Sequence, residues 1–268
     1  MTVEEQIKDI LEKEIEDYSD YFPDDDAVRI RHENDGLFAL EYHSFWHNDF
    51  RKTSDDHIIF HIMQMPEYAH RISAVTITSE DAGVNGVQYW DIESLIDSHT
   101  VFDHLKVLIL PMNDAESHNG KIITYKDMYD ESNALGLLLN KCPALKKLVA
   151  PSAPGPLFFE REEYGLEELE IQTGFDHQDF IANLSRSTCF KNLTSFSFRD
   201  YAEDYMENYQ SHCTKFDDYM LLMTSDTLPS LQSIVLFDTC IDDGQKEALI
   251  KAASAKGRTL NFLSLAED

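Results

Sequence analysis

Positive charge is what this sequence has least of. Its 268 residues carry 22 Lys and Arg against 50 Asp and Glu, a formal charge of −28 with histidine neutral. Such a surface repels phosphate, so neither nucleic acid nor an anionic membrane is expected as a direct partner. Glycine is also scarce, at 10 residues, and no two fall in the register of a phosphate-cradling loop. The serine-hydrolase elbow G-x-S-x-G is missing; Ser152 lies in the proline-rich run Ala150-Pro-Ser-Ala-Pro-Gly-Pro instead of a strand-to-helix turn. There are only four cysteines, Cys142, Cys189, Cys213 and Cys240, with no CxxC pair, and they are read as buried thiols. No apolar run approaches the roughly 18 residues of a membrane span. The opening MTVEEQIKDILEKEIEDY is acidic where a signal peptide is basic and then apolar, so the expected location is cytoplasmic.

Apolar side chains are plentiful. They make up 43% of the chain, with 16 Phe and 12 Tyr, too many for an acidic disordered segment. Val3, Ile7, Ile10, Leu11, Ile15 and Tyr18 recur at steps of three and four, which predicts an amphipathic first helix, and Thr2 with Glu5 forms a capping box for it. Val28 and Ile30, then Leu37, Leu40 and Tyr42, alternate with polar residues about Asn34-Asp35-Gly36, the pattern of a hairpin. Ile58 to Met63 reads as one more strand of this N-terminal unit.

Beyond residue 70 the triplet L-x-x-L-x-L, with aliphatic, Phe or Ala substitutes, recurs seven times. The copies are Ile72-Val75-Ile77, Leu105-Leu108-Leu110, Leu145-Leu148-Ala150, Leu166-Leu169-Ile171, Leu193-Phe196-Phe198, Leu231-Ile234-Leu236 and Leu260-Leu263-Leu265. Their first positions are 33, 40, 21, 27, 38 and 29 residues apart, room for one strand and one helix each. Helices are predicted between them over 91–98, 127–141, 176–188, 204–223 and 242–256. Four lead-ins rhyme: Phe102-Asp-His-Leu, Cys142-Pro-Ala-Leu, Phe190-Lys-Asn-Leu and Leu228-Pro-Ser-Leu.

On these triplets the chain resembles the leucine-rich repeat family in its irregular, helix-containing form, and more loosely the bacterial cytoplasmic proteins of that kind. It departs from the family in lacking the Asn that usually follows the triplet. The resemblance implies an α/β fold: a leucine-rich-repeat-like solenoid over 70–268 with a curved parallel sheet and outer helices, capped by the helix and hairpin of 1–69. Residues between and after the rungs then point into the hollow of the sheet: Val107, Ile109 and Met112; Lys147 and Val149; Glu168, Glu170 and Gln172; Ser195, Ser197, Arg199 and Asp200; Val235, Phe237 and Asp238. Tyr201 and Tyr205, set among acids, are candidate anchors beside them.

Acids cluster: 1–26 holds eleven with two lysines, 160–170 six with one arginine, 200–218 six with one lysine. Such a field steers a basic partner. The expectation is a non-catalytic protein-binding scaffold without cofactor or metal, an adaptor or immunity-type inhibitor of a basic protein such as a toxin. Two alternatives stand beside it. One is a metal-dependent hydrolase using the histidine-rich stretch 43–61, where His43/His47 and His57/His61 are spaced as zinc ligands would be on a helix; read as strand, each pair is about 13 Å apart, too far for one ion. The other is a self-assembling structural repeat protein. Asp24-Asp25-Asp26 lacks the Gly and the Glu of a calcium loop and reads as a solvated turn.

Overall fold

The computed structural model describes residues 2–15, 28–44, 54–79, 86–113, 119–126, 131–200 and 208–264. In chain order the elements are helix α1 (Val3–Ile15), strands β1 (Val28–His32) and β2 (Phe38–Ser44), helices α2 (Ser54–Gln64) and α3 (Pro66–Ala69), strands β3 (Ile72–Ser79) and β4 (Gly86–Asp91), helix α4 (Glu93–Asp97), strands β5 (Val107–Ile109) and β6 (Asn119–Thr124), and helix α5 (Ala134–Leu139). The remainder are strands β7 (Lys147–Ala150) and β8 (Glu168–Gln172), helix α6 (Phe180–Arg186), strand β9 (Ser195–Arg199), helix α7 (Phe216–Thr224), strand β10 (Ser233–Phe237), helix α8 (Asp243–Ala255) and strand β11 (Thr259–Leu263).

Nine strands form one sheet in the order β1-β2-β3-β5-β7-β8-β9-β10-β11, and β4 pairs with β6 in a separate ribbon. Only β1–β2 is antiparallel; every other pair is parallel. The hairpin follows from its turn. Asp35 and Gly36 sit at φ +61° and +76°, the left-handed region that Asx-Gly supplies, and the Glu33 amide donates to the Leu37 carbonyl at 2.9 Å. Through β2–β3 pairing the hairpin is continuous with the large sheet.

Strand order rises with chain order and never reverses, so the sheet has no topological switch point of the doubly wound kind. Register places Ile30, Leu40, Val75, Leu108, Leu148, Leu169, Phe196, Ile234 and Leu260 in a single row across all nine strands. Leu40 through Leu260 of that row share one core with Ile59, Leu95, Leu135, Ile181, Leu222 and Leu249 of the helices. The helices therefore cover this face and remove its aliphatic surface from water.

The rhyming lead-ins are one repeated turn. The amides of Leu105, Leu145, Leu193 and Leu231 donate to the carbonyls of Phe102, Cys142, Phe190 and Leu228, three residues back, at 3.2–3.3 Å. All eight of these residues are buried. Immediately afterwards the Lys146 amide donates to Lys106, Glu167 to Lys146, Thr194 to Glu167 and Gln232 to Thr194, at 2.8–2.9 Å. One local geometry thus opens strand after strand.

Four expectations need correction. Ile58–Met63 belongs to helix α2, not a strand, because an unbroken apolar run fits a buried helix as well as a buried strand. The last triplet is out of register: Leu260 pairs with Ile234 and Phe262 with Leu236, while Leu263 is 53% exposed. No strand was expected at β4 or β6, whose polar Gln88 and Lys121 are buried opposite one another in the ribbon. Cys213 and Cys240 are joined in a disulfide, and only Cys142 and Cys189 are free buried thiols.

Elsewhere the described helices fall within the expected segments, except that α7 runs one residue past 223 and α3 was not expected. Helix α8 starts at the expected acid: Asp242 accepts from the Gln245 amide at 2.8 Å while Gln245 accepts from the Asp242 amide at 3.0 Å, a reciprocal capping box. Helix α1 opens on the Thr2/Glu5 box in the same way. The Asp24-Asp25-Asp26 turn lies outside the described residues.

Candidate binding face

The second face of the sheet is built from the alternate residues of the same strands. One row runs Arg29, Glu41, Thr76, Ile109, Val149, Glu170, Ser197, Val235 and Asn261; the row beside it ends with Val107, Lys147, Glu168, Ser195, Ser233 and Thr259. Val149 is buried, but Val107, Ile109, Lys147, Glu168, Glu170, Ser195, Ser197, Val235 and Phe237 all keep part of their surface in solvent. This is the face expected from the sequence, and the pleat explains it: with a period of two, fixing the rungs inward fixes their neighbours outward.

Its charges are few. Lys147 Nζ lies 2.9 Å from a Glu168 carboxylate oxygen, both half-exposed, a contact worth little to stability. Glu170, two residues on, has no ion-pair partner among the described residues. Around these acids the face offers Val107, Ile109, Val235 and Phe237, so carboxylates and apolar groups alternate over a few strands.

The rim at the carboxy ends of the strands is filled by the chain itself. After β5 the segment Pro111–Asn113 passes the end of β7: the Leu110 amide donates to the Val149 carbonyl at 3.0 Å, and the Asn113 amide donates to Gln172 Oε1 at 3.0 Å. Arg199 Nη1 donates to the Asn113 carbonyl, and Arg199 Nε lies 3.3 Å from Asp238 Oδ2. Asn113 Oδ1 in turn accepts from the Lys121 amide at 2.8 Å, tying the rim to the β4–β6 ribbon.

This placement separates the expected site residues. Gln172, Arg199 and Asp238 are engaged in holding the rim. Asp200 is turned away from the open face and is only 2% exposed. Its carboxylate accepts from the Thr214 amide at 3.0 Å, from Thr214 Oγ1 at 3.1 Å and from the Tyr219 hydroxyl at 2.7 Å. Burial, then the charge of Asp200, pushes the Tyr219 phenol well above its ordinary range, which keeps it a neutral donor. Tyr201 and Tyr205 lie outside the described residues. Met112, with Asn113, Glu170, Arg199 and Phe237, surrounds a small hollow of about 70 Å³ that opens to solvent.

A second cluster, not foreseen, sits behind the rim. Glu131 is 2% exposed and accepts from the Asp176 amide at 3.0 Å. Its carboxylate lies over Gly174 so closely that a Cβ there would fall 1.8 Å from Oε2, so a side chain at 174 would displace the carboxylate. Burial pushes the Glu131 carboxyl up to about 7, against the opposing pull of the Asp176 amide and the Ser152 hydroxyl. Ser152 is fully buried, and its Oγ accepts from the Ile123 amide at 2.8 Å, a structural position. The cluster clamps loops that follow β7 and β8. Only the isolated Gly in Thr173-Gly174 hints at it in the sequence.

His43 lies in β2 with Nδ1 2.7 Å from Thr78 Oγ1, and His47 falls outside the described residues. His57 and His61 lie four residues apart on helix α2, which corrects the strand reading that set them about 13 Å apart, and His61 is exposed. Among the described residues no group of three His, Cys, Asp or Glu is placed to hold a metal ion. Burial pushes the Cys142 thiol up to about 12, so it is not a thiolate nucleophile at neutral pH. No described helix is long and apolar enough to cross a membrane. Comparison with protein-family models, with curated proteins and with solved structures finds no match to this chain.

Proposed function

We propose that this chain is a non-catalytic binding protein, a leucine-rich-repeat-like solenoid whose open sheet face holds a basic partner protein. One observation carries the reading. The face extends across parallel strands laid down in chain order, the described helices pack on the other side, and partly exposed Val107, Ile109, Val235 and Phe237 lie on the same face as Glu168 and Glu170. Apolar groups of that kind supply the desolvated centre of an interface, and acids set in a chain of −28 steer a cationic protein to it. A role as inhibitor or adaptor follows from such binding, by masking the partner's basic site or presenting it to another protein.

The test is charge reversal. With the basic partner identified by cross-linking and purified, Glu168→Lys/Glu170→Lys weakens its binding at least tenfold, and raising salt weakens the wild-type complex. Unchanged affinity in the double variant contradicts the reading.

A further inference from the structure

We propose that the hollow bounded by Met112, Glu170 and Phe237 receives one lysine or arginine side chain of the partner, the cation resting on the Glu170 carboxylate. The inference rests on the open face being the binding surface and names what its hollow recognises.

Size, walls and charge agree on this occupant. At about 70 Å³ the hollow lies well below the range of small-molecule sites, roughly 300–1,000 Å³. It fits a single long side chain better than a nucleotide or a prosthetic group. Met112 and Phe237 offer an apolar wall to a methylene stem, and a phenyl ring near a guanidinium or ammonium adds a cation–π attraction.

Among the described residues two carboxylates, Glu170 and Asp238, and two cations, Arg199 and Lys121, lie at or beside the hollow. Arg199 is committed, with Nη1 donating to the Asn113 carbonyl and Nε 3.3 Å from Asp238 Oδ2. Arg199 and Lys121, whose Nζ donates to the Met112 carbonyl, are thereby engaged by the rim, whereas Glu170 has no ion-pair partner among the described residues. An anion would meet that carboxylate, and an uncharged chain would strip water from it without replacing its hydrogen bonds. A cation with an aliphatic stem satisfies both the wall and the acid.

Glu170 and Met112 hold their places for separable reasons. Glu170 is fixed by the register of β8, opposite Val149 and Ser197. Met112 is fixed by the crossing segment, whose carbonyl accepts from Lys121 Nζ at 3.1 Å. The hollow is therefore present before any partner arrives.

The experiment uses the full chain with ¹³C-methyl methionine, titrated with the Nα-acetyl N-methylamides of lysine, arginine and norleucine. Lysine and arginine probes shift the Met112 methyl resonance saturably while the other methionines stay in place. Norleucine, which has the stem without the charge, does not. Glu170→Gln weakens the lysine probe roughly tenfold or more, the loss expected for a charge-assisted hydrogen bond. Glu168→Gln, outside the hollow, leaves it unchanged.

Equal shifts with norleucine, unchanged lysine affinity in Glu170→Gln, or a silent Met112 methyl would each overturn the proposal. These probes need no partner protein, so a silent hollow removes the cation site alone. The binding face itself stands or falls on the charge-reversal measurement.

Discussion

The two faces of the nine-stranded sheet come from the same residues taken alternately, yet they follow different rules. On the covered face one row reads Leu40, Val75, Leu108, Leu148, Leu169, Phe196, Ile234 and Leu260, every member apolar. The matching row on the open face reads Glu41, Thr76, Ile109, Val149, Glu170, Ser197, Val235 and Asn261, with no shared chemistry. Packing against helices constrains the first row at every strand. Among the described residues Val149 alone of the second row is buried, and the others keep part of their surface in solvent.

That contrast can be broken most forcefully from the covered side. Phe196 is fully buried and rings with Phe180 and Phe198, so Phe196→Ala costs about 3–5 kcal/mol in urea unfolding. A loss below about 1 kcal/mol would mean that the row is not a shared core.

Glu131 tests the clamp behind the rim through pH. Its folded carboxyl titrates near 7 against an ordinary 4.5, so the folded state holds the proton more tightly. Its stabilising contribution is full below about 4.5 and disappears as pH rises through 7, a loss of about 3 kcal/mol. The Glu131→Gln variant lacks that fall, so the wild-type-minus-variant difference changes across pH 4.5–7 in thermal or urea unfolding. Parallel pH profiles would show that the carboxyl is not buried as described.

Arg258 closes the sheet at its last strand. Its guanidinium donates to the carbonyls of Leu222, Met223, Ser225 and Leu228 at 2.8–3.1 Å and satisfies the end of α7. Arg258→Ala therefore costs about 2–3 kcal/mol, and Arg258→Lys recovers only part, because a point charge cannot reproduce the fork. Equal stability of the lysine variant and the wild type would argue against the four-carbonyl arrangement.

The smallest effect on stability comes from the open face. Glu170→Gln and Val235→Ser shift unfolding by no more than about 0.5 kcal/mol, as expected of half-exposed positions outside the packed core. A larger loss in calorimetry would mean that another part of the chain packs against this face.

Six of the seven expected rungs were readable because burial on one side forces apolar residues at fixed offsets. The seventh slipped. Its unit has Gly257 where the others place a buried leucine, and Arg258 instead fills the space by bonding to α7, so the leucines of 260, 263 and 265 offered a false register. Leu37, Leu40 and Tyr42 carry the same spacing and were read as a hairpin strand; that strand is also the partner of β3.

The open face was legible for the same reason as the rungs, since a period of two leaves no other direction for their neighbours. What could not be read was the crossing of Pro111–Asn113, which takes Gln172, Arg199 and Asp238 from the face. Those contacts join residues 59 and 86 positions apart, and no local pattern encodes them. Asp200 looked like one more outward residue, but Thr214 and Tyr219 close around it from the next helical connection.

The most direct measurement compares the two faces for contact with a partner. A photo-cross-linking residue is placed at Ser197 or Val235 on the open face, or at Lys251 on the exposed side of α8, in the full chain within its source cells. The account predicts that the open-face positions, and not Lys251, join to one and the same basic protein. Cross-linking from Lys251 alone, or only between copies of this chain, would contradict it.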